Sequence, residues 1–286
     1  MSESPASSLN TISEEEYLRN TLERYSGCSP ESFLPCVLLT NFSKYLDHFA
    51  ASRGRPIVEG SFFRVAHCPD EGVTMIDIKI GSPAAALAID LISVATNVKA
   101  SVFLGMCGGL RRRYKIGEYL VPVASIRAEK TSDSYLPKEV PALANFLMQR
   151  AVTQVLDRRR EKDMQESATG DTGRYAYHIG ITYTGNLRIW EFDEEFKERL
   201  KETKAQGIEL ECATLFIASY KRKVTLGALL LISDLPLERV KTKDSAQKVY
   251  ADHMEDHIDL GLEILREATG MELRRVKGSY KSSSTL

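Results

Sequence analysis

The sequence predicts an α/β protein with a mixed central sheet flanked by helices. Three observations lead there. Short apolar runs that read as buried strands alternate with segments of helical spacing. Several of those strands follow one another with no helix between them, which a pure βαβ series does not allow. The chain has 286 residues, 43% hydrophobic and 27% charged, enough to bury a sizeable core without staples. It has no internal repeat.

The elements follow in order. Residues 1–13 are polar and rich in Ser and Glu and are expected to form a mobile tail. Within a flexible segment 1–28, Glu14–Arg24 reads as a short helix capped by Ser13. Residues 29–270 are expected to form the main domain. It starts with the apolar run Cys36–Thr40, a buried strand, and then Phe42–Ala51, whose aromatic and Leu positions have helical spacing. Val73–Ile80 alternates with period two and reads as a strand. Gly81-Ser82-Pro83 breaks it, and Ala84–Ala95 reads as a buried helix. Ala100–Leu104 is a strand expected to end at Gly105-Met-Cys-Gly-Gly109, and Glu118–Ile126 is a further strand. Pro141–Leu156 reads as a helix and 157–174, charged throughout, as an exposed polar insertion. Tyr177–Tyr183 is a strand, Glu191–Thr203 and Cys212–Tyr220 are helices, and Thr225–Ser233 is a strand. The last helix, Asp244–Glu267, has a core face of Tyr250, Met254, Ile258, Leu262 and Leu265. Residues 271–286 are expected to be a loose tail.

Composition excludes several classes of partner. The net charge of −1 implies no general attraction to nucleic acid or to an anionic membrane. The apolar runs are too short to span a bilayer. The N-terminal stretch has no apolar h-region, and the five scattered cysteines form no CxxC pair. A cytoplasmic protein with reduced thiols is therefore expected.

Three places can carry chemistry. The cluster Gly105–Gly109 sits at a strand end, where glycines let backbone approach a ligand. It is GxxGG, not GxGxxG, and it leads into a strand and not a helix, so it is not a dinucleotide loop; a plain structural turn is the alternative. Glu209 and Glu211 alternate with apolar residues just before the helix at Cys212. In an extended segment they share one face, and a carboxylate accepts two hydrogen bonds from a vicinal diol; solvation or capping of the helix is the alternative. Asp234 ends a very apolar strand, where ligands of α/β proteins usually bind. If partly desolvated it holds a proton to donate; an ordinary turn with Pro236 is the alternative. His253 and His257 lie one helical turn apart but lack the HExxH pattern and flank a core stripe, so no metal is expected. Arg111-Arg112-Arg113 with Lys115 is either a solvated run or an anion contact.

These residues carry a resemblance. Gly81-Ser82-Pro83, then Gly105-Met-Cys-Gly-Gly109 with Lys115-Ile-Gly-Glu118, then Arg127–Asp133, then Ile208-Glu-Leu-Glu-Cys212, then Ser233-Asp234, are similar in type and order to the superfamily of nucleoside phosphorylases and nucleosidases. That superfamily includes uridine phosphorylase, hexameric purine nucleoside phosphorylase and AMP nucleosidase. The resemblance covers roughly Cys36–Glu267. Cys107–Arg112, Ser233–Leu237 and the Ile189-Trp-Glu tract resemble the AMP nucleosidase branch in particular.

The resemblance implies a three-layer α/β/α fold and a nucleoside phosphorylase-like catalytic domain over 29–270. It also implies a homo-oligomer, a hexamer built from dimers, acting on a small nucleotide or nucleoside with no metal and no organic cofactor. Glu211 would hold the ribose hydroxyls, with Glu209 and Leu210 in the same pocket. Asp234 would protonate or hydrogen-bond nitrogen 7 of a purine. The Cys107-Gly108 backbone would border the base, with Gly81 and Ser82 nearby. Asn186 and Trp190 match a tract near the base, and Arg127 and Lys241 are carried over as substrate contacts. Lys241 and Lys243, or Arg111–Arg113, would meet a 5′-phosphate. The reaction implied is hydrolysis of AMP to adenine and ribose 5-phosphate. Phosphorolysis, a methylthioadenosine- or futalosine-type substrate, or a non-catalytic nucleotide-binding protein are the alternatives. Two departures favour water over phosphate as nucleophile. The first strand ends Leu39-Thr40-Asn41-Phe42 without the glycine of phosphorylases, and the position after Pro83, expected to carry a phosphate-binding serine, is Ala84. With so little sequence before Cys36, a regulatory N-terminal domain is not expected.

Overall fold

Three consecutive apolar runs build the middle of the sheet. Strand β1 (Cys36–Thr40) lies between β4 (Val73–Asp77) and β5 (Ala100–Gly109), parallel to both. The coordinates are a computed structural model that describes residues 12–167 and 173–279. On the far side of β5, β10 (Leu226–Asp234) runs parallel to it. Next come β6 (Tyr119–Arg127), antiparallel to β10, and β8 (Tyr177–Thr184), parallel to β6. The short β9 (Gly207–Glu209) pairs with β8 and returns antiparallel to β5. Strands β5, β10, β6, β8 and β9 therefore close into a ring, and β1 and β4 continue from it as an open sheet. At the open edge β4 is followed by β3 (Arg64–Cys68) and β2 (Ile57–Glu59), both reached by antiparallel pairing.

Side-chain alternation along the strands feeds two cores. Val37, Leu39, Phe103, Leu230 and Ile232 face one side, against α1 (Glu14–Ser26), α3 (Ser82–Ile92) and α6 (Cys212–Arg222). Leu38, Val102, Leu104, Leu229 and Leu231 face the other, against α2 (Ser43–Ser52), α4 (Phe146–Glu166) and α7 (Lys243–Ser279). The result is the expected three layers, with the sheet in the middle. Each fully buried Leu in these layers contributes about 1.5–3 kcal/mol. A smaller cluster of Trp190, Leu200 and Ile208 ties α5 (Glu194–Glu202) to the ring.

Several elements differ from expectation, each for a local reason. The flexible segment 1–28 contains α1, whose Leu22 is fully buried and whose cap is Ser13, accepting from the Glu16 N–H at 3.1 Å. The strand read to Ile80 stops at Asp77. The Asp77 carboxylate accepts the Lys79 N–H at 3.0 Å and its ammonium at 2.8 Å, which holds Lys79 at a φ of 64°. β5 does not end at Gly105; it runs through the glycine cluster to Gly109. Pro141–Asn145 is not helical: Ala142–Leu143 forms β7 on β6, and Asn145 caps α4 from its first turn. The insertion at 157–174 is helix as far as Glu166. Its Arg, Lys and Glu residues are strong helix formers, and Arg158 and Arg159 pair with Glu267 and Glu263 of α7. Residues 168–172 of that insertion lie outside the described residues, as do residues 1–11 of the tail. Of the C-terminal tail, 271–279 continue α7 and 280–286 lie outside. The hairpin β2–β3 carried no clear alternation and was not anticipated. No helix among the described residues is long and apolar enough to cross a membrane.

His257 of α7 is fully buried between layers, with both ring nitrogens engaged. Nε2 donates to the Leu229 carbonyl at 3.0 Å, and Nδ1 accepts from the Tyr45 hydroxyl at 2.9 Å. It is a pin between helix and sheet, not half of a metal pair. Burial pushes its pKa down to about 4. The unfolded chain therefore binds more protons between pH about 4 and 6.5, and this group's contribution to stability is lost as pH falls through that window. His257→Leu removes a donor to the Leu229 carbonyl and leaves the buried Tyr45 hydroxyl without its partner, at a cost of about 1–3 kcal/mol. We expect a matching loss of stability in urea unfolding at neutral pH, and a shallower fall in stability between pH 6.5 and 4 than in the parent.

Candidate active site

The carboxyl ends of β1, β5 and β10 lie along one edge of the sheet, and the end of β9 meets them across the ring. A cleft of about 630 Å³ of atom-free space, counting its open mouth, lies there. Asn41 and Phe42 follow β1, Met106, Cys107 and Gly108 belong to β5, and Ser233 and Asp234 end β10. Glu209, Leu210 and Glu211 come from the β9–α6 junction, and Leu187, Arg188, Trp190 and Glu191 from the segment after β8. Glu211 and Asp234 thus face one hollow.

The two glutamates are held differently. Glu209, 5% exposed, caps α6: it accepts the N–H of Glu211 at 2.7 Å and of Cys212 at 2.6 Å, and the Thr184 hydroxyl. Thr184 is in turn hydrogen-bonded to Ser125 at 2.7 Å and to the Ala213 N–H at 2.8 Å. Both Glu209 oxygens are occupied, so this residue positions the junction. Glu211, 2% exposed, makes no cap bond although it stands at the N-cap position. It accepts the Gly81 N–H at 2.7 Å on one oxygen and the Leu210 N–H at 3.3 Å on the other, and the remaining lone pairs leave capacity for a ligand. Gly81 reaches it with φ 102° and ψ 155°, a conformation essentially restricted to glycine. Ser82 locks the same corner by donating to the Leu210 carbonyl at 2.8 Å.

Burial raises the pKa of both glutamates. For Glu211, burial and the neighbouring Glu209 charge push it up to about 7, against the opposing hydrogen bonds from Gly81 and Asn41. A buried carboxylate titrating near neutrality is a frequent mark of a functional site. Burial also pushes the Cys107 thiol well up, so Cys107 lines the cleft as backbone and as an inert thiol. Its carbonyl accepts from Ser233 Oγ at 3.3 Å. Gly108 has no room for a side chain, since a Cβ there would lie 2.7 Å from Pro236 Cγ.

Asp234, at the strand end, is partly desolvated, its side chain 15% exposed, and it has polar partners. Ser233 Oγ donates to it at 2.7 Å and the Lys241 ammonium lies at 3.4 Å. Lys241 also donates to Ser233 at 2.8 Å, so Asp234, Ser233 and Lys241 form one polar group at the base of the cleft.

Of the other residues carried over from the resemblance, Gly81 and Ser82 brace the Glu211 corner without lining the cleft, and Arg127 and Asn186 fall elsewhere. Arg127 does not line the cleft. Its guanidinium donates to the carbonyls of Leu136, Pro137 and Val140 at 2.7–2.8 Å and pairs with Asp133 at 2.9 Å, tying down the loop after β6. Asn186 also misses the cleft and donates to the Glu129 carbonyl at 2.6 Å. Arg111 is directed to the Lys204 carbonyl, Arg113 lies over the Tyr114 ring, and Lys243 is exposed at the start of α7; none lines the cleft. Ala84 is buried away from it, so that departure says nothing about phosphate. The sequence reading missed Asn41, Met106, Arg188 and Glu191 as cleft residues. Arg188, whose side chain is 60% exposed, pairs with Glu191 at 3.2 Å.

A family model described as the Phosphorylase superfamily matches residues 37–266. The chain belongs to this superfamily. Within it, the sequence is 25% identical over 305 residues to AMP nucleosidase of Escherichia coli strain K12. That match covers 93% of this chain but 60% of the relative, so the chain spans less than two thirds of its length. Among solved structures, AMP nucleosidase from Bacteroides thetaiotaomicron VPI-5482 superposes with a TM-score of 0.73 at 38% identity, covering 89% of this chain and 97% of that one. A uridine phosphorylase from Vibrio fischeri ES114 superposes with a TM-score of 0.71 at 18% identity, covering 88% and 99%, a likeness of fold.

The Glu211 environment predicts its own pH signature. The folded state binds a proton there more tightly than the unfolded chain, so stability falls as pH rises through the window from the ordinary carboxylate value of 4.5 to about 7. Glu211→Gln keeps the acceptor for Gly81 and removes the charge. We expect its melting temperature to exceed the parent's at about pH 8 and to converge with it at about pH 5.

Proposed function

We propose that this protein hydrolyses the N-glycosidic bond of AMP, releasing adenine and ribose 5-phosphate. The observation that carries the reading is the convergence of Glu211 and Asp234 on one cleft. Likeness over most of the chain to AMP nucleosidases supports the choice of substrate.

The chemistry follows from charge. Breaking the bond puts positive charge on the ribose and negative charge on the departing base. Glu211, with an unoccupied share of its carboxylate, receives the ribose hydroxyls and stabilises the cationic sugar. Asp234 meets nitrogen 7 of the purine, and the ammonium of Lys241 beside it replenishes the proton that the base removes. The Cys107-Gly108 backbone and Trp190 border the base. Arg188, exposed at the mouth, meets the 5′-phosphate. Likeness to AMP nucleosidases over most of the chain favours water as the nucleophile.

The test is release of free base from AMP, adenosine and uridine, each with and without phosphate. Adenine from AMP in the absence of phosphate is expected; base release only with phosphate identifies a phosphorylase, and release from none rejects the enzyme reading. In the same assay Asp234→Asn loses about 10²–10⁴-fold in turnover, the usual worth of a general acid. Near-parental rates in that variant would remove Asp234 from the proton step.

A further inference from the structure

A second hollow lies between the last turns of α6, the β7 segment and the start of β10. This groove holds about 850 Å³ of atom-free space, counting its open mouth. Its floor is apolar and buried, formed by Phe216, Ile217 and Leu226, while Leu143 and Tyr220 stand exposed at its rim. No side chain that lines it carries a charge. Glu211 stands at the opposite end of α6. Ser219, which lines the groove, lies more than two turns further on, roughly 12 Å along the helix, so the groove and the catalytic cleft are separate.

One hydroxyl of this groove has no partner. Ser219 is 4% exposed, and its Oγ makes no hydrogen bond. Helical hydroxyls commonly bond the carbonyl one turn back. In this chain Ser26, Ser52 and Thr269 do so, at 2.7–2.9 Å. Ser219 does not. Thr214 Oγ1 on the same helix is likewise unpartnered but does not line the groove. Asn145, the amide of the lining, is committed elsewhere, since its oxygen accepts the first N–H groups of α4. A buried polar atom left empty is costly, so the groove suits a molecule that meets the Ser219 hydroxyl. A lone water fits poorly, because a buried water needs about two to four polar partners and these walls are apolar. A flat protein face would cover Leu143 and Tyr220 at the rim and stop short of Ser219.

We propose that this groove is a second binding site, for a small uncharged aromatic molecule that carries one hydroxyl, a phenol by chemical class. The ring rests on Phe216, Ile217 and Leu226, and the ligand hydroxyl pairs with Ser219 Oγ. Apolar walls with a single polar group to fix orientation are the usual build of a small-molecule site. The uncharged lining excludes carboxylates and amines, whose desolvation nothing in the groove offsets. A purine base is excluded too. It brings several ring nitrogens that accept hydrogen bonds, more than one serine hydroxyl satisfies.

The test is calorimetric titration of the full chain with three probes: p-cresol, p-xylene, in which a methyl replaces the hydroxyl, and p-toluate, in which a carboxylate does. p-Cresol is expected to bind about tenfold more tightly than p-xylene, the worth of one hydrogen bond, and p-toluate not to bind at neutral pH. In Ser219→Ala the preference disappears: p-cresol weakens about tenfold and p-xylene stays within about twofold of its parental affinity. Ala144→Trp, which fills the groove from its wall, abolishes binding of both. Melting temperatures report the folding of each variant, and Ser219→Ala carries the test alone if the tryptophan protein does not fold. 9-Deaza-AMP, whose carbon bond to the sugar cannot be hydrolysed, is expected to leave p-cresol binding unchanged, because it goes to the other end of α6. Absence of p-cresol binding, equal affinity for p-cresol and p-xylene, parental p-cresol affinity in Ser219→Ala, or displacement by 9-deaza-AMP each overturns the proposal. A parent that sediments as a dimer and becomes a monomer in Ala144→Trp assigns the groove to a second copy of the chain and overturns it as well.

Discussion

The site depends on keeping two carboxylates, separated by one residue, out of water while giving them different partners. Glu209 is satisfied by the first N–H groups of α6 and by Thr184, so its charge is absorbed by the helix start. Glu211 accepts the Gly81 and Leu210 N–H groups and none from the helix, and burial together with its neighbour's charge raises the cost of ionising it. That asymmetry divides the labour of the pair. One glutamate builds the corner; the other is presented to the cleft. The hydroxyl series of Ser125, Thr182 and Thr184 behind Glu209 stiffens the arrangement from the ring side.

Closure of five strands into a ring is what brings the pieces together. In an open parallel sheet, the ends of β9 and β10 would lie far apart. Here β9 returns antiparallel to β5 at Gly108, whose neighbour in register on the other side is Asp234. Gly108 tolerates this because Pro236 packs where its side chain would be. The glycine cluster is therefore a strand against which neighbouring side chains, Leu230, Pro236 and Ile232 among them, pack closely, which a turn reading does not convey.

Much of this was legible in the sequence. Buried strands announced themselves as apolar runs, and Gly81, Glu211 and Asp234 were identifiable from motif order. Less was legible where the signal is not periodic. The edge hairpin β2–β3 is partly exposed and lacks alternation, and the charged end of α4 is polar all round yet held by ion pairs to α7. Arg127 was misplaced because a motif gives position along the chain and not direction; its five donors are directed at its own loop. Asn41 was noted only as a missing glycine, since an unsatisfied acceptor is visible only once its neighbours are placed.

The central claim is that sugar and base are gripped by opposite walls of one cleft. A crystal structure of the protein with 9-deaza-AMP bound tests it most directly. The account predicts ribose hydroxyls within hydrogen-bond distance of Glu211 and the purine nitrogen 7 against Asp234, at about 2.7–3.2 Å each. A nucleotide bound with either carboxylate out of reach, or outside this cleft, would contradict it.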